Sequence, residues 1–394
     1  MEQRHHRHVL EAVMAFQDDI IAWRRRIHAW PELGFEEEKT AAFVAELLES
    51  WGVEVHRGVG GTGVVGVVRG RGGDAGRRVG LRADMDALPM EEATGLPFAS
   101  RNPGRFHGCG HDGHTAMLLG AARYLAATRD FDGVTHLIFQ PAEEGLGGAR
   151  AMLADGLFTR FPCDEIYALH NAPAGVSGHV GVCAGPAMAG ADFFDITITG
   201  RGAHGAMPNL GADPVVAAAS LVQALQTIVS RNVDPQQPAV VSVTQVHAGS
   251  AYNVIPDRAT VAGTVRAFDQ RVMEKVRRRI RELAEGIAAA HGVTASVDIR
   301  NVFSVLVNSD EQSRAAAGVA AAMLGGDRVR ADETPKMGSE DFADMLQQVP
   351  GAYLWLTGAH TAPLHNPGFL LDESILPVGA ALLAAIAESR ATAA

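Results

Sequence analysis

Aromatic residues are scarce, 6% of the 394 positions, so a core has to be packed mainly from Ala, Val, Leu and Ile. Cysteine is scarcer still. Cys109, Cys163 and Cys183 are odd in number and unpaired by spacing, which excludes a disulfide framework and favours a reducing, cytoplasmic compartment. No apolar run has the length expected of a membrane span. The opening MEQRHHRHVL carries charge but no following apolar stretch, so a secretory signal is not expected. Positive charge is in deficit, 34 basic against 45 acidic residues, for a net charge of −11. That balance argues against nucleic acid, whose phosphates demand a basic footprint, and against an anionic membrane surface.

What remains is globular: 47% hydrophobic and 20% charged, in a length that suits two domains at about 150 residues each. Apolar residues recur at helical spacing from Val13 to Trp30, where Pro31 interrupts them, and again from Glu36 to Trp51. Buried strands are expected at Val64–Val68, Val79–Leu81, Thr135–Phe139 and Ile166–Leu169, with helices at His114–Ala127 and Leu146–Ala154 between them. This alternation predicts an α/β layered domain with a mostly parallel sheet.

From about Gly190 the rhythm changes. Strands at Phe193–Thr199, Val240–His247, Ala259–Arg266 and Thr294–Ile299 enclose helices at Asp213–Ser230 and Gln270–Ala290. The order β-α-β-β-α-β is that of a ferredoxin-like α+β unit, with the run Ala184–Gly190 as its hinge. A strand at Tyr353–Leu356 and a helix near Val378–Ile386 follow. The expected organisation is therefore a discontinuous α/β metal-binding domain, residues 1–186 and 303–394. It carries an inserted lid or dimerisation domain, residues 187–302.

The densest local signal is His107-Gly-Cys-Gly-His-Asp-Gly-His114. A thiol and imidazoles are the donors that zinc and similar borderline ions take, and the glycines let the backbone turn tightly enough to aim them. Strand Thr135–Phe139 runs into Gln-Pro-Ala-Glu143-Glu144, a carboxylate pair at the strand end where open α/β sheets place ligands. One carboxylate of such a pair can ligate metal while the other takes a proton from water. His170 ends another strand-like run, and His365 sits between Pro363 and Pro367 after a third. Alone, each of these histidines reads as an ordinary surface or core residue. Together with Cys109, His111 and a glutamate they make five metal donors.

The segments Arg82-Ala-Asp84-Met-Asp86-Ala-Leu-Pro, His107–His114, Gln140-Pro-Ala-Glu-Glu144, Ala203-His204, Asn253-Val-Ile-Pro256, Gly338-Ser-Glu-Asp-Phe342 and Leu364-His365-Asn366 occur in this order. As a set they resemble the M20 metallopeptidase family, in particular its amidohydrolase branch of hippurate hydrolases, N-acyl-amino-acid amidohydrolases and auxin-conjugate hydrolases. The resemblance implies Cys109 as a bridging ligand, where many M20 peptidases have aspartate. It implies His111, Glu144, His170 and His365 as the other ligands, and Glu143 as general base. Arg82 stands where the wider family has a metal-binding histidine, so Asp84 becomes a carboxylate that orients an imidazole. Asp112 has no implied role.

By the same resemblance His204 stabilises the oxyanion from a neighbouring subunit, while Asn253 and Arg266 hold the substrate. A guanidinium fork suits a substrate carboxylate. The expectation is a metal-dependent amidohydrolase cleaving N-acyl-L-amino acids, with a dipeptidase or carboxypeptidase, or a catalytically silent binding protein, as rivals. Two divalent ions per subunit are expected, zinc or manganese, with cobalt and nickel as further candidates. A homodimer or higher homo-oligomer is the expected assembly.

Overall fold

The computed structural model describes residues 2–172, 175–359 and 362–392. Its chain divides into two compact units, one of Met1–Ala187, Val307–Thr334 and Asp341–Ala394, the other of Met188–Leu306 and Pro335–Glu340. Twelve strands matter here. The first unit begins with β1 (Glu54–Val59), β2 (Gly63–Arg69), β3 (Arg78–Asp84), β4 (Val134–Gln140), β5 (Glu165–Ala172) and β6 (Val180–Val182). The second unit holds β7 (Gly190–Thr199), β8 (Ala239–Ala248), β9 (Arg258–Ala267) and β10 (Thr294–Phe303). On returning to the first unit the chain adds β11 (Val329–Arg330) and β12 (Gly351–Thr357). The longer helices are α1 (Glu2–Met14), α2 (Gln17–His28), α3 (Glu38–Ser50), α4 (His111–Thr128), α5 (Gly148–Ala154), α6 (Pro214–Thr227), α7 (Gln270–Ala290), α8 (Asp310–Leu324) and α9 (Leu376–Ala391).

The first unit is built on an eight-stranded sheet in the order β1-β2-β4-β3-β5-β12-β6-β11. Its centre, β4-β3-β5-β12, is parallel throughout. Antiparallel pairing occurs towards the margins, between β1 and β2, β2 and β4, and β12 and β6. Every residue of β4 is buried, as expected of a central strand covered on both faces. The expected strands at the centre are present. The marginal strands β1, β6 and β11 were not expected, because β1 is half-exposed and polar and the other two span only three and two residues.

Two expectations need correction. The apolar spacing of Val13–Trp30 belongs to two helices, α1 and α2, that meet at Ala15 and Phe16. And one segment, Glu373–Ala391, is long and apolar enough to cross a membrane, although 78% of it is buried inside the fold. From Leu376 to Ala387 helix α9 is apolar because it is almost wholly covered, packing against α4 and contributing Leu382, Leu383 and Ile386 to the main core.

The second unit has a four-stranded antiparallel sheet in the order β8-β9-β7-β10. Its core joins Phe194, Ile196 and Ile198 of β7 to Leu221 and Leu225 of α6 and to Val276 and Ile280 of α7. The charged face of α7 points outward while Val272, Met273, Val276, Ile280 and Ala284 point in. One charge is drawn inward: Arg277 makes a bidentate pair with buried Asp192 at 2.6 and 2.7 Å. Of the expected hinge Ala184–Gly190, residues Gly185–Met188 are strand and pair with Leu306–Asn308. A ladder of backbone hydrogen bonds holds them in place of a free loop.

Candidate metal centre

The parallel strands end on one edge, and the chemistry-bearing residues follow their C-terminal ends. Asp84 closes β3, Glu143 and Glu144 follow β4, His170 lies in the last turn of β5, and His365 comes after β12. The glycine-rich segment contributes less loop than expected. Helix α4 begins at His111, three residues before the expected start, so His111, Asp112 and His114 occupy its first turn. Gly110 makes this turn possible. Its φ is +95°, and a Cβ there would lie 2.4 Å from Asn171 Oδ1.

Potential ligand atoms of Cys109, His111 and His170 lie within 4.8 Å of one another, and so do those of Cys109, Glu144 and His365. Cys109 is common to both groups. Its Sγ is 3.5 Å from His170 Nε2, and Glu144 Oε1 is 3.3 Å from His365 Nε2. His111 Nε2 faces carboxylate oxygens of Asp84, Glu143 and Glu144 at 3.9 to 4.0 Å. Two of these buried atoms, His111 Nε2 and Glu144 Oε1, have no hydrogen-bond partner of good geometry. Leaving such atoms unsatisfied in a dry site is costly unless something else binds them. A thiol, imidazoles and carboxylates converging on shared space fit divalent metal ions.

The charges of the site are strongly coupled. Burial pulls the His111 imidazole down, but Asp84 and Cys109 outweigh it and hold it well above its usual value. Burial, with the charge of His114 beside it, pushes His170 well below. Burial raises the Cys109 thiol, with Glu144 adding to the effect. His365 is pushed up to about 10 by hydrogen bonding to Cys109 and then to Glu144.

Behind the donors stands a shell of carboxylates. The imidazole bonded to Asp84 is that of His114, at 2.6 Å, while His114 Nε2 lies 2.6 Å from Asn171 Oδ1. The carboxylate nearest His111 Nδ1 is Asp86, at 3.3 Å, beside its own carbonyl at 2.9 Å. Arg82 fills its position as a wholly buried cation. It donates to Gln140 at 2.8 Å, Asp84 at 2.7 Å and Asp341 at 3.1 Å.

Asp86 and Asp341 lay inside recognisable motifs but had no assigned role. Nothing in their local sequence marks them, because their partners are 25 or more residues away. Asp112 points away from the donors, with Oδ2 2.7 Å from both His28 Nδ1 and Arg24 Nε. His107 is buried with no partner on either ring nitrogen, and burial lowers it to about 4.

The buried pair of Asp112 and Arg24 yields a stability prediction. Asp112→Asn removes the nearer of two carboxylates at Arg24, leaving Glu373 at 3.2 Å, and is expected to cost about 1.5–3 kcal/mol in chemical denaturation. Burial would push His28 down, but Asp112 and then Glu92 hold it above its usual value. A raised folded value means that its contribution is complete below about pH 6.5 and is lost as pH rises through the raised value. Stability should therefore fall on the alkaline side, and a His28→Gln variant should lack that fall.

The remaining expected site residues belong to the second unit. His204 and Val254 pair in a short ribbon, in which Gly205 N donates to Asn253 O at 2.7 Å. His204 and Asn253 are both exposed. Arg266, on β9, is half-buried and donates from Nη1 to Met337 O at 2.9 Å and Ser339 Oγ at 3.1 Å, which fixes the plane of its guanidinium.

Known proteins resemble this chain over nearly its whole length. The model of peptidase family M20/M25/M40 matches residues 80–389. Hippurate hydrolase of Campylobacter jejuni is 41% identical over 96% of this chain and 98% of its own length. N-acetylcysteine deacetylase of Bacillus subtilis is 41% identical over 95% of this chain and 97% of its own. The crystal structure of a dinuclear metal-binding peptidase of the M20 family from Bacillus subtilis has a TM-score of 0.83 at 37% identity, covering 95% of this chain and 98% of that one. The matched stretch runs from β3 into α9 and takes in every donor described above, and on this ground the chain belongs to peptidase family M20/M25/M40.

Proposed function

We propose that this enzyme hydrolyses the amide bond of N-acyl-L-amino acids, releasing a carboxylic acid and a free amino acid. The observation that carries the reading is the convergence of buried donors on shared space, with His111 Nε2 and Glu144 Oε1 lacking a hydrogen bond of good geometry, beside a second glutamate. A protein that only bound metal would have no use for Glu143 next to its ligands.

In this reading Cys109, His111, Glu144, His170 and His365 would hold two divalent ions. When bound, such ions polarise the amide carbonyl and make water a stronger acid. Glu143 takes the proton from the attacking water and passes it to the leaving nitrogen. His204 donates to the oxyanion of the tetrahedral intermediate, while Arg266 and Asn253 hold the α-carboxylate. Cysteine among the donors favours softer ions such as zinc, cobalt or nickel, and manganese is the alternative by family resemblance. The inserted α+β unit is proposed to be ferredoxin-like, which its strand order and two helices support, and the three free cysteines suit a cytoplasmic setting.

The substrate class is tested by turnover of N-acetyl and N-benzoyl amino acids alongside dipeptides. Preference for free dipeptides would replace this reading with a peptidase using the same centre. A homodimer in which His204 serves the partner's site is also proposed. Mixing inactive His204→Ala with inactive Glu143→Gln subunits should restore part of the activity, since a mixed dimer holds one site with both groups. No recovery in proven mixed dimers would place His204 in its own subunit's site or outside catalysis.

A further inference from the structure

Three successive backbone amides lead into the proposed base, and each ends on a buried carboxylate. Ala142 N donates to Glu37 Oε1 at 2.8 Å, Glu143 N to Asp86 Oδ1 at 3.0 Å, and Glu144 N to Asp86 Oδ2 at 3.0 Å. Such a row of N–H groups makes a concave seat for negative charge. Ala142 itself sits at φ +53°, a left-handed conformation that a residue with a Cβ adopts only where its surroundings impose it.

The imposing group is Glu37. Its side chain is wholly buried, and its other oxygen accepts from Thr62 Oγ1 at 2.5 Å, which ties it to the turn between β1 and β2. The chain just before it presses on the same residue: a Cβ at Gly34 would lie 2.9 Å from Ala142 Cβ. Glu32 anchors this segment by accepting from Thr40 N and Thr40 Oγ1 at 2.9 and 3.0 Å. Glu37 is thus 105 residues from Ala142 in sequence and rigidly placed against it.

We propose that Glu37 is a positioning residue for catalysis: it holds Ala142 in its left-handed turn and so aims Glu143 at the reacting water. The inference rests on Glu143 being the base. It assigns Glu37 no contact with substrate or metal. Loss of the Ala142 anchor lets the turn relax, and a base displaced by about 1 Å can lose about 10²-fold in rate. Burial raises the Glu37 carboxyl to about 7, with Thr62 and Ala142 opposing, so a neutral acceptor of the same shape can take its place.

The test uses the metal-loaded enzyme and five variants, Glu143→Gln alone among them. Glu37→Ala is expected to lower kcat about 10–100-fold, the usual effect of removing an outer partner, with KM within about twofold and metal content unchanged. Glu37→Gln keeps an acceptor for Ala142 and should recover most of that loss. Thr62→Val, which removes one hydroxyl without altering the shape, should lower kcat less, and it carries the test if Glu37→Ala does not fold. Added to Glu143→Gln, Glu37→Ala should change the residual rate less than about twofold, because the group it positions is already gone.

Undiminished kcat in Glu37→Ala, or in Thr62→Val where Glu37→Ala does not fold, overturns the inference. Loss of metal from Glu37→Ala, or full additivity with Glu143→Gln, overturns it equally. Full activity in Glu143→Gln alone would instead reject Glu143 as base, so the two failures are distinguishable.

Discussion

Glu143→Gln is expected to lower kcat by about 10²–10⁴-fold while the protein keeps its full metal content, because the amide preserves shape and removes the proton acceptor. Glu144→Gln should behave in the opposite way, losing metal first and activity as a consequence. The two adjacent glutamates share one support but differ in a neighbour. Asp86 grips both amides, and Glu144 Oε1 is directed at His365 Nε2 at 3.3 Å. Metal analysis beside single-turnover rates on both variants decides the assignment. If Glu143→Gln is the one that loses metal, the roles are exchanged.

The second large effect concerns Cys109, the donor common to both ligand groups. Cys109→Ala should remove activity and lower metal affinity by more than the roughly 10–100-fold typical of losing an outer partner, because the donor shared by the two candidate groups is lost. Chelation of the unmodified enzyme should give the same inactive state, reversed by added divalent ion. Cys109→Asp, which restores an anionic donor, should bind metal again with its preference moved toward harder ions such as manganese. Full activity after chelation, with no metal detectable, would reject a metal-dependent reaction altogether.

Much of the centre was readable in one dimension because its donors come in short-range groups. Cys109 and His111 are two residues apart and lead into α4, while Glu143 and Glu144 are adjacent and follow the wholly buried β4, whose apolar run is unmistakable. The long helix of the inserted unit was legible from its pattern: the apolar stripe of α7 repeats every three or four residues. The strands at the sheet margins were not legible. β6 and β11 are shorter than a pattern of period two needs to declare itself, and β1 buries only its last residue.

The sequence by itself therefore determined which residue types could hold metal, and that several of them lie at or just beyond the ends of buried strands in a chain with an inserted second unit. Only the tertiary structure decided how they are supported. It gave Asp84 to His114 and Asp86 to His111. It turned Asp112 away toward Arg24 and His28, and it placed Glu37 under Ala142. These partners are separated by 25 to 105 residues, and a hydrogen bond across such a distance leaves no periodicity for local inspection to find. The parallel sheet makes them neighbours. It brings the ends of β3, β4 and β5 to one edge, where buried polar groups are stable only with their partners in reach.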